Sequence, residues 1–349
     1  MNEAVSDGKS SLQRSADGDR KITLVTGASG FIGSAVVRKL LGRGRRVRCY
    51  VEPGARLDNL ASLDVELVTG DVNDREAIGR ALEGCDALYH LAAIYAIWLP
   101  DPSLMYRVNV EGTKTVLWAA YKANLRRVVY TSSIAAIGRG DNGQPIDETH
   151  QFSRADWDEG NGYIRSKWLS EQDALRFAKE GLPLVVVNPA FPFGERDIAP
   201  TPTGGFVIAA LKKQVPGYVD SGFCVIDVED VAEGHVLAEE KGRVGERYIL
   251  GNHNVSLQAF YEIVGRVAGV KVPQRKIPIA VAESMGWVME KLADVRKERP
   301  MATFKATRYA AHRHFFDNAK ARRELGLPAT PLEVTIERSV RWFRTHGYA

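Results

Sequence analysis

The chain has 349 residues, 45% of them apolar and 26% charged, which suffices for a large core and about two domains. Its 47 basic and 43 acidic side chains leave a net charge of +4, too small and too evenly spread to point to a nucleic-acid partner. Cys49, Cys85 and Cys224 lie far apart without metal-ligand spacing, which argues against a disulfide scaffold or zinc site and for a reducing, cytoplasmic setting.

Residues 1–20 are polar and carry no apolar stretch of the signal-peptide kind, so they read as a flexible tail. Order is expected from Lys21. Residues 22–25 form a short apolar strand that meets a glycine-rich turn, TGASGFIG (26–33). Ile32, Val36, Val37, Leu40 and Leu41 then mark one face of a helix that Gly42 and Gly44 end. Further strands are expected at 47–51, 65–68, 87–90, 128–130 and 184–187, with a helical stretch ending near Gly84 and a long helix over 104–124. Strands alternating with helices over about 170 residues predict an α/β fold, a doubly wound parallel sheet (Rossmann fold) covered on both faces. Past Asn188 the pattern loosens around Pro189, Pro192, Pro200, Pro202 and Pro216. Strands near 223–226 and 247–250 are expected to add to the same sheet, and helices dominate from Leu257. The division is then a dinucleotide-binding domain over 21–190 and a smaller, mostly helical substrate lobe over 191–349. No run approaches the roughly 18 apolar residues of a membrane span. Trp287, Val288 and Leu292, followed by Arg296, Lys297 and Arg299, read as a core-facing helix with a solvated basic end rather than a membrane anchor.

Gly27, Gly30 and Gly33 stand between a strand and a helix. There the backbone can approach a pyrophosphate, and the helix N-terminus offers free N–H groups. Ser29, Phe31 and Ile32 belong to the same turn. Glu52 lies 19 residues past Gly33, near the spacing at which an acid binds the adenosine ribose of NAD and repels a 2′-phosphate. Arg45, Arg48 and Arg56 lie close in sequence, so NADP stays open as a second cofactor. Asp71, after the third strand, reads as a partner for adenine or as a helix cap. Tyr163 and Lys167 are four residues apart on a predicted helix, so both point into one site, where an ammonium would favour the phenolate and make a usable acid/base. Ser132 and Ser133 follow the fifth strand, at the sheet edge where doubly wound folds bind ligands. A hydroxyl there can orient the substrate oxygen that Tyr163 protonates. Tyr95, Trp98, Phe191 and Phe193 fall in predicted loops near the strand ends and read as an apolar substrate wall or as core.

These residues carry a family resemblance. TGASGFIG (26–33), GDVND (70–74), HLAA (90–93), NVEGT (109–113), YTSS (130–133), YIRSK (163–167), NPAFPFG (188–194) and the closing stretch 319–348 resemble the extended short-chain dehydrogenases/reductases of the NAD-dependent epimerase/dehydratase type. VRCYVEP, WLPDPSLMYRVNVEGT and VVYTSSIAAIG look most like two branches. One holds dihydroflavonol-reductase-like and 3β-hydroxysteroid-dehydrogenase-like reductases, the other hopanoid-associated sugar epimerases. The resemblance implies Ser133, Tyr163 and Lys167 as the catalytic set and Asn109 as a helper in proton relay. It further implies Gly27, Gly30, Gly33, Asp71, Val72, Leu91, Ala92, Ala93 and Pro189 around the cofactor, to which Ser132 is added, and pairing of two subunits through helices near 104–124 and 163–178. Trp118, Tyr121 and Trp168 suit such a homodimer or an ordinary core.

The sequence departs from the family pattern twice. Reductases of this group that use NADP carry Arg after the second strand, where this chain has Glu52. Nucleotide-sugar epimerases carry an Arg before a Val-x-Asp-Val stretch, and residues 222–231 contain none, although Arg196 and Arg243 are candidates to replace it. The expectation is therefore an NAD(P)-dependent oxidoreductase that exchanges a hydride with a secondary alcohol or ketone, on a cyclic hydrophobic small molecule. An NAD-dependent sugar or nucleotide-sugar epimerase is the alternative. A noncatalytic dinucleotide sensor is a third reading, disfavoured by the Ser133, Tyr163 and Lys167 set.

Overall fold

The computed structural model describes residues 22–96, 99, 101–140, 143–159, 161–296, 308 and 311–349, so the N-terminal tail, Trp98, Lys297 and Arg299 lie outside the described residues. The first half winds in sequence through β1 (Ile22–Thr26), α1 (Phe31–Gly42), β2 (Arg46–Val51), β3 (Glu66–Thr69), α2 (Arg75–Leu82) and β4 (Cys85–His90). It continues through α3, built of Ser103–Tyr106, a π-helical turn over Arg107–Gly112 and Thr113–Lys122, to β5 (Arg127–Thr131), α4 (Arg154–Glu159), α5 (Gly162–Lys179) and β6 (Leu184–Pro189). The second half holds β7 (Phe191–Phe193), α6 (Pro202–Leu211), β8 (Gly222–Asp227), α7 (Val228–Lys241), β9 (Arg247–Leu250), β10 (His253–Ser256) and α8 (Leu257–Ala268). α9 (Ile279–Arg296), β11 (Arg313–His314), α10 (Ala319–Glu324) and α11 (Leu332–Thr345) follow.

Seven parallel strands form one sheet in the order β3-β2-β1-β4-β5-β6-β9. This is a doubly wound, Rossmann-type sheet. Its central strands are apolar on both faces because both are covered. Val36 of α1 and Val231 of α7 pack on one face, and Ile78 of α2, Val116 of α3 and Ala174 of α5 on the other. The chain reverses its winding between β1 and β4, and the carboxyl ends of these strands open the crevice where such folds bind ligands.

The second half differs from expectation in three places. Residues 247–250 hydrogen-bond to β6 in the main sheet, but 223–226 lie in a separate four-stranded sheet, where β8 pairs with β7, β10 and β11. Phe193 is core, not substrate wall. It is 1% exposed, with its ring 5.1 Å from Phe260 and 6.0 Å from Phe223. Alternation along β7 explains this, since it turns Phe193 and Phe191 to one face, the inner end of which is filled by α6, α8 and α11. Nor do the described side chains of α9 face the core as expected: Trp287 and Val288 are exposed with Val281 and Met285, while the side chains of Leu292 and Arg296 lie outside the described residues. Among the described residues no helix is long and apolar enough to cross a membrane.

Candidate active site

The glycine-rich turn leaves β1 with Gly27 at φ +66°, a conformation that side chains disfavour. Space is equally decisive. A Cβ on Gly27 would lie 2.8 Å from Ala92 N, and one on Gly33 would lie 2.1 Å from Gly27 O. The turn is thereby pressed against the end of β4 and α1. Helices α2, α5, α6, α7 and α8 are capped by Asp74, Asn161, Thr201, Asp227 and Ser256. The N-terminus of α1 has no side-chain cap and no acid in its first turn. Its orphan N–H groups at Phe31, Ile32 and Gly33 are therefore available to an anion. Asn59, which sequence reasoning missed, braces the turn, its Nδ2 donating to Ser29 O at 3.2 Å and Arg196 O at 3.0 Å.

Glu52 and Asp71 stand exposed at the ends of β2 and β3, with Val72 buried beside them. Asp71 accepts from Asn73 N and Nδ2, both at 2.9 Å, and Asp74 is the residue that caps α2. The nearby arginines are engaged elsewhere. Arg45 pairs with Glu239 at 3.2 Å by the amino ends of the strands, Arg48 with Glu66 at 2.9 Å, and Arg56 with Asp58 at 3.2 Å. Leu91 and Ala92 are half-buried beyond β4, Ala93 is exposed, and Pro189 is buried at the end of β6.

A buried polar line runs beneath this crevice. Thr26 Oγ1 accepts from Leu91 N and Ala92 N, so its hydroxyl donates to His90 Nδ1 at 2.7 Å. His90 Nε2 then carries the proton and donates to Thr113 Oγ1 at 3.1 Å, and Thr113 donates to Asn109 O at 2.8 Å. Burial, with the Lys167 charge added, pushes the His90 imidazole down to about 3, so it stays neutral. The π-helical turn aims the Asn109 side chain inward. Its Oδ1 accepts from Ile94 N at 2.7 Å, and its Nδ2 donates to Ile94 O and Ser166 Oγ, both at 3.0 Å. Ser166 Oγ donates in turn to Tyr163 O at 2.8 Å, so Asn109 ties the segment after β4 to the turn of α5 that carries Tyr163.

The chemistry-bearing side chains meet at the carboxyl end of β5. Ser133 follows that strand, and its Oγ accepts from Ala135 N at 3.2 Å. Ser132 N donates to Val187 O at 2.8 Å, while its hydroxyl is buried without a partner. The Tyr95 ring tilts over the Tyr163 ring with centroids 4.8 Å apart. Phe191 is half-buried, 5.2 Å from the Phe223 ring. Burial pushes the Tyr163 phenol up to about 12, and a hydrogen bond with the Ser133 side chain pulls the other way. The expected lowering of this phenol by Lys167 does not appear. The Lys167 ammonium turns instead to Thr131 O at 2.8 Å and Tyr130 Oη at 3.4 Å. Burial pulls that ammonium down to about 8, against the Glu171 charge. A phenol that keeps its proton is a proton donor, and a buried ammonium one helical turn from it is a cation for a hydroxyl-rich ligand. Among the described residues no three His, Cys, Asp or Glu side chains gather to hold a metal.

Residues 23–251 match the profile of the NAD dependent epimerase/dehydratase family. The chain belongs to that family. It is 40% identical over 328 residues to a Synechocystis protein provisionally named a dihydroflavonol 4-reductase, covering 93% of this chain and 95% of the relative. It is 32% identical over 327 residues to sterol demethylase protein B of Methylococcus capsulatus, covering 93% and 99%. A solved nucleoside-diphosphate-sugar epimerase from Pseudomonas aeruginosa superposes with a TM-score of 0.77 at 27% identity, covering 94% and 99%. The family's cofactor is NAD, and the residues present fit it. The uncapped α1 suits the pyrophosphate, the Gly27 and Gly33 positions admit no Cβ, and Glu52 stands as an exposed acid at the end of β2.

Proposed function

We propose that this family member is an NAD-dependent alcohol dehydrogenase or ketone reductase acting on a cyclic, hydrophobic small molecule. The meeting of Ser133, Tyr163 and Lys167 at the end of β5, under Tyr95, is the observation that carries the reading. NADH, when bound, supplies the hydride that the carbonyl carbon takes up. Ser133 orients the carbonyl oxygen by hydrogen bonding, and Tyr163 donates its proton to that oxygen, so the product is a secondary alcohol. Lys167, held by the Thr131 carbonyl and Tyr130, would bind the nicotinamide ribose with its ammonium, and the phenolate left on Tyr163 regains a proton from water. Asn109 keeps Tyr163 in place through Ser166. Glu52, Asp71 and Val72 would hold the adenosine, the first turn of α1 the pyrophosphate, and Leu91, Ala92, Ala93, Ser132 and Pro189 the remainder of the dinucleotide. Tyr95 and Phe191 offer apolar faces to the substrate.

The apolar substrate has support in β8. The segment 222–231, in which epimerases of this resemblance carry Arg, has none, and the strand presents Phe223 there, 5% exposed among aromatic rings. Arg243 pairs with Glu324 at 2.9 Å, and Arg196 lies over the Trp342 ring, so both already have partners. Tyr163→Phe is expected to keep NAD binding and to lose about 10²–10⁴-fold in turnover, the usual contribution of a positioned acid/base. Full activity in that variant would refute the mechanism. The likeness to the Pseudomonas epimerase favours a second reading, internal hydride return on a sugar. NAD released only on denaturation of the purified protein would support the epimerase, and reversible exchange of NAD the reductase. We also propose a homodimer through the outer faces of α3 and α5.

A further inference from the structure

Glu171 lies one turn beyond Lys167 on α5 and is fully buried. A carboxylate out of water is costly unless it is paired and hydrogen-bonded. Here Arg247 Nη1, from β9, donates to Oε1 at 3.0 Å, and Asn188 Nδ2, from β6, donates to Oε2 at 2.6 Å. Arg247 Nη2 bonds the carbonyls of Glu148 and His150. Asn188 Nδ2 also donates to Ser133 O at 2.9 Å. The amide can have only this orientation, because a flipped Asn188 would set its oxygen against both a carboxylate and a carbonyl.

A buried ion pair is a poor source of stability, since apolar side chains of the same volume often do as well. Its position suggests another use. Lys167 is faced by Tyr163 and Glu171 on its own helix, Tyr130 and the Thr131 carbonyl from β5, and the neutral His90 from β4. Among these, Glu171 is the group whose charge favours the ammonium against burial. Glu171 itself is faced by Lys167 on its own helix, by Tyr130 of β5, by Asn188 of β6 and by Arg247 of β9.

We propose that Glu171 is a positioning residue of this site: its carboxylate keeps Lys167 charged from one turn away and, through Asn188, anchors the backbone of Ser133. This rests on the assignment of Ser133, Tyr163 and Lys167 above. The test is an NMR titration of the full chain, without ligand, with lysines labelled at ¹³Cε and the Lys167 signal assigned by its loss in Lys167→Met. Glu171→Gln is expected to move the Lys167 midpoint down by about one pH unit. Asp173→Asn, whose carboxylate pairs with Lys114 and Arg176 on the outer face, leaves it unchanged. Glu171→Gln leaves the half-buried Arg247 beside a neutral partner, and where that prevents folding, Glu171→Gln/Arg247→Gln removes both charges and shows a smaller downward shift. The Ser133 carbonyl ¹³C resonance is expected to move in Glu171→Gln and in Asn188→Ala alike. An unchanged Lys167 midpoint in the single and double variants would overturn the proposal. Failure of the Tyr163→Phe prediction would sink the catalytic assignment while leaving this titration intact, so the two are separable.

Discussion

Glu52 argues cofactor choice at the level of one side chain. Its carboxylate is exposed at the end of β2, and Arg45 and Arg48 are bonded away from it. A 2′-phosphate there would meet a negative charge, with Arg45, Arg48 and Arg56 each paired to another acid. Glu52→Arg is expected to shift binding preference toward NADP⁺ by about ten- to a hundredfold, since a charge-assisted hydrogen bond contributes about 1.5–3 kcal/mol. Tryptophan-fluorescence titrations with both nucleotides would measure it, and an unchanged ratio would mean that the ribose does not reach this acid. The glycines, Glu52, Tyr163 and Lys167 of the candidate site could be singled out in the sequence because their spacing has a physical meaning. Asn59, Asn188 and Glu171 carry no such spacing. Each is a polar residue whose burial and partners come from segments distant in the chain, and Glu171 on its own helix looks like any solvated acid. Phe193 misled for a related reason, because a loop-like Pro-rich stretch concealed a short strand.

At the scale of elements, the strands of the main sheet were legible because covering on both faces demands unbroken apolar runs, as in Val185–Val187 or Val128–Tyr130. The π-helical turn was not, because Asn109 and Thr113 keep ordinary helical spacing. β8 was misassigned to the main sheet because its apolar run fits either sheet, and pairing is decided by partners far along the chain. Two buried histidines lock elements together. His90 joins β1, β4 and α3, while His235 links α7 to β5 by accepting from Thr131 Oγ1 at 2.9 Å. Burial pushes His90 down to about 3 and His235 to about 4. In the unfolded chain both take up protons below about pH 6.5, which the native state resists. Their contribution is therefore complete above that pH and is lost progressively as pH falls toward the folded values. The melting temperature should drop between neutrality and pH 5, and His235→Gln should flatten that drop. An equal slope in the variant would assign acid lability to other groups.

For the whole molecule, the open question is the outer surface of α3 and α5. Between them lies a groove of about 460 Å³ lined by Tyr106, Val110, Lys114, Trp168, Leu169 and Arg176, among others. Trp118 and Tyr121 continue this face at 38% and 44% exposure. Large aromatic side chains left half in water on two adjacent helices are costly for a monomer and typical of an interface core. Glu111, Lys114, Asp173 and Arg176 supply both signs of charge on one face, which lets it pair with itself across a two-fold axis. α5 carries Tyr163 and Lys167 on its inner side, so docking its outer side would also hold the catalytic helix against β5. Sedimentation of the wild-type protein at micromolar concentration should give a dimer. Leu169→Arg, which sets a cation in the groove beside Arg176 and Lys114, should give a monomer with circular dichroism unchanged. Its turnover should fall with dissociation if the pairing steadies α5, and should stay constant if each subunit is complete alone. A wild-type protein that sediments as a monomer would refute the interface and leave the aromatic face for another partner.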